Sequence, residues 1–253
     1  MTLIESVFPE IKRNIGINSR NHEYQKIKDA ISVLNVAYLK LASEEMKYYM
    51  QRNPAHRIPS KFTHLMDIYN RLIHEHQAMF LLLNVFETAL RSKAAILLSN
   101  HFSTQNSDDW WKDISKLDKD LLDPVNKAVA QLHRGNYNLA NVNTFDLFDT
   151  FTFGQLENIY KNYWSIFHHI FVSKNYRAHT LPQMTRSLFL QKMKDIRLAR
   201  NDVAHHKPID YQRRGRQNLI HDMELILRHL NFNVEDTING INGRNSIINL
   251  QYI

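Results

Sequence analysis

The sequence predicts an all-α protein, a helical bundle with additional helices and loop insertions. Three observations carry that prediction. Long stretches repeat apolar residues every three or four positions, the period of one helical face. Only 6 Gly and 6 Pro occur in 253 residues, too few breakers for many short strands joined by tight turns. Hydrophobic residues make up 43% of the chain, enough to pack a core.

Residues 23–52 form the first expected long helix, with Ile27, Ile31, Leu34, Tyr38 and Leu41 on one face. Residues 1–22 before it are expected to be less regular. Pro54 and Pro59 break the pattern, and Ser60 is placed to cap the next helix. Residues 62–102 contain no Gly or Pro and carry two stripes. Phe62, Leu65, Tyr69, Leu72, Ile73 and His76 make one; Leu83, Phe86, Leu90, Ala94 and Leu97 make the other. An unbroken helix there would run about 60 Å, so a bend or break is expected near residues 74–77.

A polar stretch then leads to Trp110 and Trp111, read as core residues. Asp123 and Pro124 look like the cap and first-turn proline of a helix closing near Gly135. Residues 136–153 read as a loop with bulky anchors, and residues 154–164 as helix, extending toward 175. Residues 185–204 form a clear helix, with Leu188, Met193, Ile196 and Ala199 available for packing and Pro208 as its latest end. A last helix is expected over 217–231. Residues 233–253, rich in Asn and Gly, are expected to be less regular. No repeat or linker interrupts the chain, so 1–253 reads as a single domain.

Composition narrows the chemistry. The chain has no cysteine, which removes disulfides, cysteine-based zinc sites and thiol catalysis and fits a reducing compartment. The first ten residues lack a basic leader followed by an apolar run, so no signal peptide is expected. The most apolar stretch, 79–100, is interrupted by Asn84, Glu87, Arg91 and Lys93. A membrane span rarely carries such charge at its centre, so a cytoplasmic protein with no membrane partner is expected. The net charge of +7 and isoelectric point near 9.5 favour a polyanionic partner such as nucleic acid.

The informative stretch is Arg200-Asn201-Asp202-Val203-Ala204-His205-His206-Lys207, where a helix stops. RNA cleavage by the ribose 2′-hydroxyl needs a base for that proton and an acid for the departing 5′-oxygen, and histidine serves either role near neutral pH. A guanidinium grips phosphate with two donors and stabilises the charge of the transition state. No metal or other cofactor is required. Asn201 and His205, four apart, share a helical face, so Asn201 can orient the imidazole or contact phosphate. Arg200 and His205 are five apart, roughly 140° around a regular helix, and converge only if the helix ends between them or a second subunit completes the site. By spacing alone, Arg200 could equally cap carbonyls or pair with an acid, and His205 could simply face the helix dipole.

The segment from Arg200 to His205 resembles the R-x(4–6)-H signature of HEPN domains. Ala204-His205-His206 extends the likeness to their abortive-infection (Abi-like) branch. Phe86-Glu87-Thr88-Ala89-Leu90-Arg91-Ser92 is similar to that branch's "I-E-x-x-L-R-S" helix, and Thr152-Phe153-Gly154-Gln155-Leu156 to its "T-F-G-x-L" turn. The three segments occur in the family's order. The resemblance implies a HEPN-type bundle that pairs as a homodimer with two Arg–His motifs beside one cleft, metal-independent endoribonuclease activity in that cleft through Arg200, Asn201 and His205, an RNA substrate, and a neutralising antitoxin that is a protein or a small RNA. The alternatives are a non-catalytic HEPN module that binds RNA or a partner protein, and a structural helical protein with accidental matches.

Supporting residues follow. Glu87 either pairs with Arg91 along its helix or reaches Arg200 or His205. His206 adjoins the motif. Lys207, Arg213, Arg214 and Arg216 are candidates for phosphate contacts, against the plainer reading of a solvated loop. The pairs His168-His169 and His205-His206 do not make a metal site, because adjacent residues point in different directions on a helix.

Overall fold

The computed structural model describes residues 3–103, 108–113, 115, 117–209, 215–242 and 248–252. The fold is all-α apart from one small hairpin, and contacts divide the chain into two compact units: Met1–Phe80 with Asp202–Ile209, and Leu81–Asn201 with Asp210–Ile253. Among the described residues no helix is long and apolar enough to cross a membrane.

The first unit is built from α1 (Leu3–Ile15), α2 (Tyr24–Val33), α3 (Val36–Arg52), the first half of α4 (Lys61–Phe102) and the end of α9 (Arg186–Ala204). The stretch expected to be less regular, residues 1–22, thus contains a helix. Val7, Ile11 and Ile15 recur four apart, and with Phe8 they are buried in one cluster with Leu39, Ala42 and Met46 of α3. Asn14 donates to the hydroxyl of Ser43 inside this packing.

The expected first helix is two helices. Leu34 and Asn35 are extended, and the Asn35 side chain accepts from the amides of Ala37 and Tyr38 to start α3. The apolar period runs straight through this break, which is why periodicity did not reveal it. Ser60 does cap α4, accepting from the Thr63 amide. Buried Glu23 adds a second cap, accepting from the amides of Lys61 and Phe62 and from the Ser60 hydroxyl. Burial alone would raise the Glu23 pKa, but these hydrogen bonds outweigh it and the pKa is lowered.

The expected break at 74–77 is absent: α4 runs for 42 residues, roughly 63 Å. Each stripe is covered within its own unit. Leu65, Tyr69 and Leu72 are buried in the first, and Leu83, Phe86, Leu90 and Ala94 in the second, with Leu97 only half-buried.

The second unit holds the rest of α4 with α5 (Lys119–Arg134), α6 (Thr144–Asp149), α7 (Phe153–Asn162), α8 (Trp164–Phe167), a 3-10 turn (His168–Phe171), strands β1 (Lys174–Tyr176) and β2 (His179–Leu181), most of α9, α10 (Arg216–His229) and α11 (Val234–Asn242). Asp118, not Asp123, caps α5, so Pro124 lies inside the helix, while Gly135 closes it as expected. The expected loop 136–153 contains α6, started by a capping box of Asn143 and Asp146. The hairpin was not foreseen; β1 and β2 pair antiparallel. Trp110 and Trp111 are buried, as expected, and Tyr160 packs with Phe167 and Phe189 while donating to the Leu90 carbonyl.

Helix α10 carries the expected stripe of Ile220, Met223, Leu227 and Leu230, yet it also buries Asp222, Glu224, Arg228 and His229. Arg228 is fully buried and donates to Glu224 at 3.2 Å and to Glu235 at 2.6 Å, with Tyr176 as a further partner. Glu235 lies in α11, within residues expected to be less regular. Asn and Gly content concealed this helix, which an ion pair to α10, seven residues back, holds. Burial raises the Glu235 pKa, but the Arg228 hydrogen bond more than reverses that and lowers it. The pair's stabilisation is therefore present at neutral pH and lost as pH falls through the depressed Glu235 value. Arg228→Ala removes the buried cation that both carboxylates share, leaving Glu224 the amides of Gln251 and Tyr252 and Glu235 the exposed Arg177. We expect it to cost about 3–5 kcal/mol in urea unfolding at pH 7 and to reduce the loss of stability on acidification; a change below about 1 kcal/mol would contradict this account.

Candidate functional site

The second unit wires together three segments far apart in sequence. On α4, Glu87 and Arg91 pair at 2.8 Å. The same Arg91 nitrogen donates to the carbonyl of Phe151 at 2.9 Å. Phe151 directly precedes α7, whose first turn is a capping box between Thr152 and Gln155, with Phe153 and Leu156 buried. The other Glu87 oxygen accepts from Arg200 Nε on α9 at 3.1 Å. Both readings of Glu87 therefore hold at once: it pairs along its helix and it reaches Arg200. One turn earlier on α9, Arg197 pairs with Glu157 of α7 at 2.6 Å.

This arrangement decides how Arg200 is presented. The Glu87 side chain is 11% exposed and that of Arg200 is 37% exposed. The carboxylate holds the Nε edge, and among the described residues the two terminal nitrogens make no hydrogen bond. Those are the donors that fork onto a phosphate. Asn201 is half-buried in α9, and its side chain has no hydrogen-bond partner among the described residues.

In the first unit, α9 ends in a Schellman motif. The His206 amide donates to the Val203 carbonyl and the Lys207 amide to the Asp202 carbonyl. His205 is the residue at which the chain leaves the helix, and its side chain is exposed. The helix thus ends between Arg200 and His205. The left-handed position falls to His206, with φ of 53°. Among the described residues three other helices end in the same hydrogen-bond pattern, and there the position is held by Gly16, Asn136 and Asn231. Glycine and asparagine are the usual occupants; histidine is not.

Side chains of α3 and α4 hold this turn. Asn35 Nδ2 donates to the His206 carbonyl at 3.0 Å, and the Tyr38 hydroxyl donates to the Lys207 carbonyl at 3.1 Å. The Tyr38 oxygen also lies 2.6 Å from His76 Nδ1. The rings of His76 and His206 face each other at 5.8 Å. Burial, with the charge of Asp202 and the neighbouring Tyr69, pushes the Tyr38 phenol up to about 12. Burial, then the charge of His206, lowers the His76 pKa.

A family model described as Abi-like protein matches residues 32–209. The chain belongs to the Abi-like family. No curated protein and no solved structure matches it. Family membership supports a place among abortive-infection proteins. The Abi-like match opens in the last turn of α2 and closes just after α9. It includes Glu87, Arg91, Thr152, Arg200 and His205, and also Asn35, Tyr38 and His76; it leaves α1, α10 and α11 outside.

Of the expected phosphate contacts in this Abi-like protein, Arg213 and Arg214 lie outside the described residues. Arg216 opens α10, and Lys207 is exposed with its carbonyl held by Tyr38. Among the described residues no three His, Asp or Glu side chains are grouped to hold a metal. Sequence reasoning missed Asn35, Tyr38 and His76 as the residues around the turn that ends α9. The signal for His76 was an imidazole ending an apolar stripe, which reads first as packing.

Backbone strain at His206 gives a direct test of the helix end. His206→Gly should raise stability by about 1 kcal/mol, because glycine adopts the left-handed conformation without a Cβ clash. A melting temperature that falls instead would mean that the ring contact with His76 outweighs the backbone cost.

Proposed function

We propose that this Abi-like protein is a HEPN-type, metal-independent endoribonuclease and acts as an abortive-infection effector or toxin. The observation that carries the reading is the Glu87–Arg200 pair, which restrains a guanidinium by its inner nitrogen and leaves its fork available to a phosphate. His205, on an exposed helix end five residues later, supplies an imidazole for proton transfer. In this reading two copies of His205 share the dimer cleft: one takes the proton of the ribose 2′-hydroxyl as its oxygen attacks the adjacent phosphorus, Arg200 stabilises the charge that builds on the phosphoryl oxygens, and the other protonates the departing 5′-oxygen. Asn201 contacts the phosphate or orients the imidazole. The products are a 2′,3′-cyclic phosphate and a 5′-hydroxyl. The partners are RNA, a second copy of the chain in a homodimer, and a neutralising antitoxin, either a protein or a small RNA.

Incubation with RNA in the presence of EDTA tests the reaction. Cleavage should persist and leave 2′,3′-cyclic phosphate or derived 3′-phosphate ends. His205→Ala should lower the rate by about 10²–10⁴-fold. Glu87→Gln should lower kcat by roughly 10–100-fold through misplacement of Arg200. Chelator-sensitive cleavage leaving 5′-phosphates would overturn the mechanism, and RNA binding without cleavage would favour a non-catalytic module.

The basic segment after the motif gives a second test. Lys207, Arg213, Arg214 and Arg216 are proposed to contact the RNA backbone. Replacing the three arginines with alanine should flatten the log–log dependence of RNA affinity on salt by about one unit per lost contact. An unchanged slope removes the segment from the RNA site.

A further inference from the structure

Arginines that join helices in this protein spend their terminal nitrogens. Arg71 reaches Glu45 and Glu75 that way, Arg91 reaches Glu87, and Arg228 reaches Glu224 and Glu235. In Arg91 and Arg228 the atom left over, buried and without a hydrogen bond, is Nε. On α9 the order is reversed twice. Arg200 Nε donates to Glu87 of α4 at 3.1 Å, and Arg197 Nε donates to Glu157 of α7 at 2.6 Å. Among the described residues these are the two arginine–carboxylate pairs made through Nε. The Arg197 side chain is 33% exposed, and among the described residues its terminal nitrogens make no hydrogen bond. Arg197 and Arg200 are three apart, neighbours on the helix surface with β-carbons about 5–6 Å apart. That step is of the order of the distance between successive phosphates along a nucleic-acid strand. Each guanidinium is held by its own carboxylate on a different helix, so α9 carries two separate forks in a row.

We propose that Arg197 binds the RNA phosphate next to the scissile one, so that the substrate is a strand with at least two consecutive phosphates rather than an isolated linkage. The inference rests on the ribonuclease reading above, which gives the scissile phosphate to Arg200. Glu157 is a positioning residue: it restrains Arg197 by the inner nitrogen and leaves the two donors that match a phosphate. The neighbouring phosphate keeps its bonds and its charge throughout the reaction. A contact to it is equally strong before and in the transition state, so it acts on KM and leaves kcat nearly unchanged. Arg200 faces the phosphate on which charge builds, and loss of its Glu87 tether falls on kcat.

RNA oligonucleotides centred on a mapped cleavage site test this in the full-length protein. The phosphate on the 5′ or on the 3′ side of the scissile one is replaced by an uncharged methylphosphonate. One of the two replacements should lower the wild-type kcat/KM by about 10–100-fold, chiefly through KM. Arg197→Ala should lose as much on the all-phosphate RNA and lose nothing further on that methylphosphonate RNA. Arg197→Lys keeps the charge without the fork and should recover part of the loss. Glu157→Gln should raise KM for the all-phosphate RNA and leave KM for the methylphosphonate RNA unchanged. The same oligonucleotides with a 2′-deoxynucleotide at the scissile position give a readout independent of cleavage, and their Kd values should show the same coupling. If wild type is indifferent to both replacements, or if the losses from Arg197→Ala and methylphosphonate simply add, the second-phosphate contact falls. Cleavage of the all-phosphate RNA then keeps the ribonuclease reading. The wild-type arm needs no substitution, so it decides even if Arg197→Ala does not fold. Wild-type protein that cuts no RNA overturns both.

Discussion

One carboxylate shared by two guanidiniums organises the larger unit. Glu87 pairs with Arg91 on its own helix and with Arg200 on α9, and Arg91 extends the chain of contacts to the Phe151 carbonyl at the head of α7. Exposure decides what such a pair is worth. Arg71 and Glu45 also pair, at 2.5 Å, but their side chains are 46% and 48% exposed, and water and salt screen most of their attraction. The Glu87 and Arg91 side chains are 11% and 18% exposed. Removing that carboxylate would leave the largely buried Arg91 without its ion-pair partner and Arg200 without its anchor. Two of the segments that resemble one family thus meet through Glu87, and the third begins one residue after the carbonyl that Arg91 holds.

Helix periodicity made the fold class legible, along with the course of α9 and the close of α5 at Gly135. It failed where two signals of equal period were joined or where the partner was distant. Leu34 and Asn35 break a stripe that is continuous in sequence, because capping by Asn35 outweighs continuation of the helix. Helix α4 does the reverse and ignores an expected break, since nothing in residues 61–102 stops it and both stripes are covered. Helix α11 depends on Glu235 meeting Arg228, a pairing that local composition does not encode. In the candidate site, Arg200 and His205 were visible as a motif. The Glu87–Arg200 contact was visible only as one of two options. Tyr38 and the carbonyl it holds are 169 positions apart, so no local pattern could join them.

Among the described residues four helix ends share one backbone geometry and differ in the residue that bears it. Gly16, Asn136 and Asn231 follow backbone preference. His206 does not, and its ring meets His76 while its carbonyl receives Asn35. A side chain has displaced the residue the backbone prefers at the one such end that carries the Arg–His motif. Local rules are most informative at the place where they are broken.

Asn35 has two jobs on one amide. Its oxygen starts α3, and its nitrogen holds the turn after α9. For the first job alone, Asp or Ser is as good a residue. Neither has an amide nitrogen to offer, and an aspartate would set oxygen against the His206 carbonyl. At Asn143, whose side-chain oxygen only closes a capping box, the same exchange costs little. Exchange among capping residues is therefore tolerated at one helix start and not at the other, and the tolerance of α3 to substitution is set by a turn that belongs to a different helix.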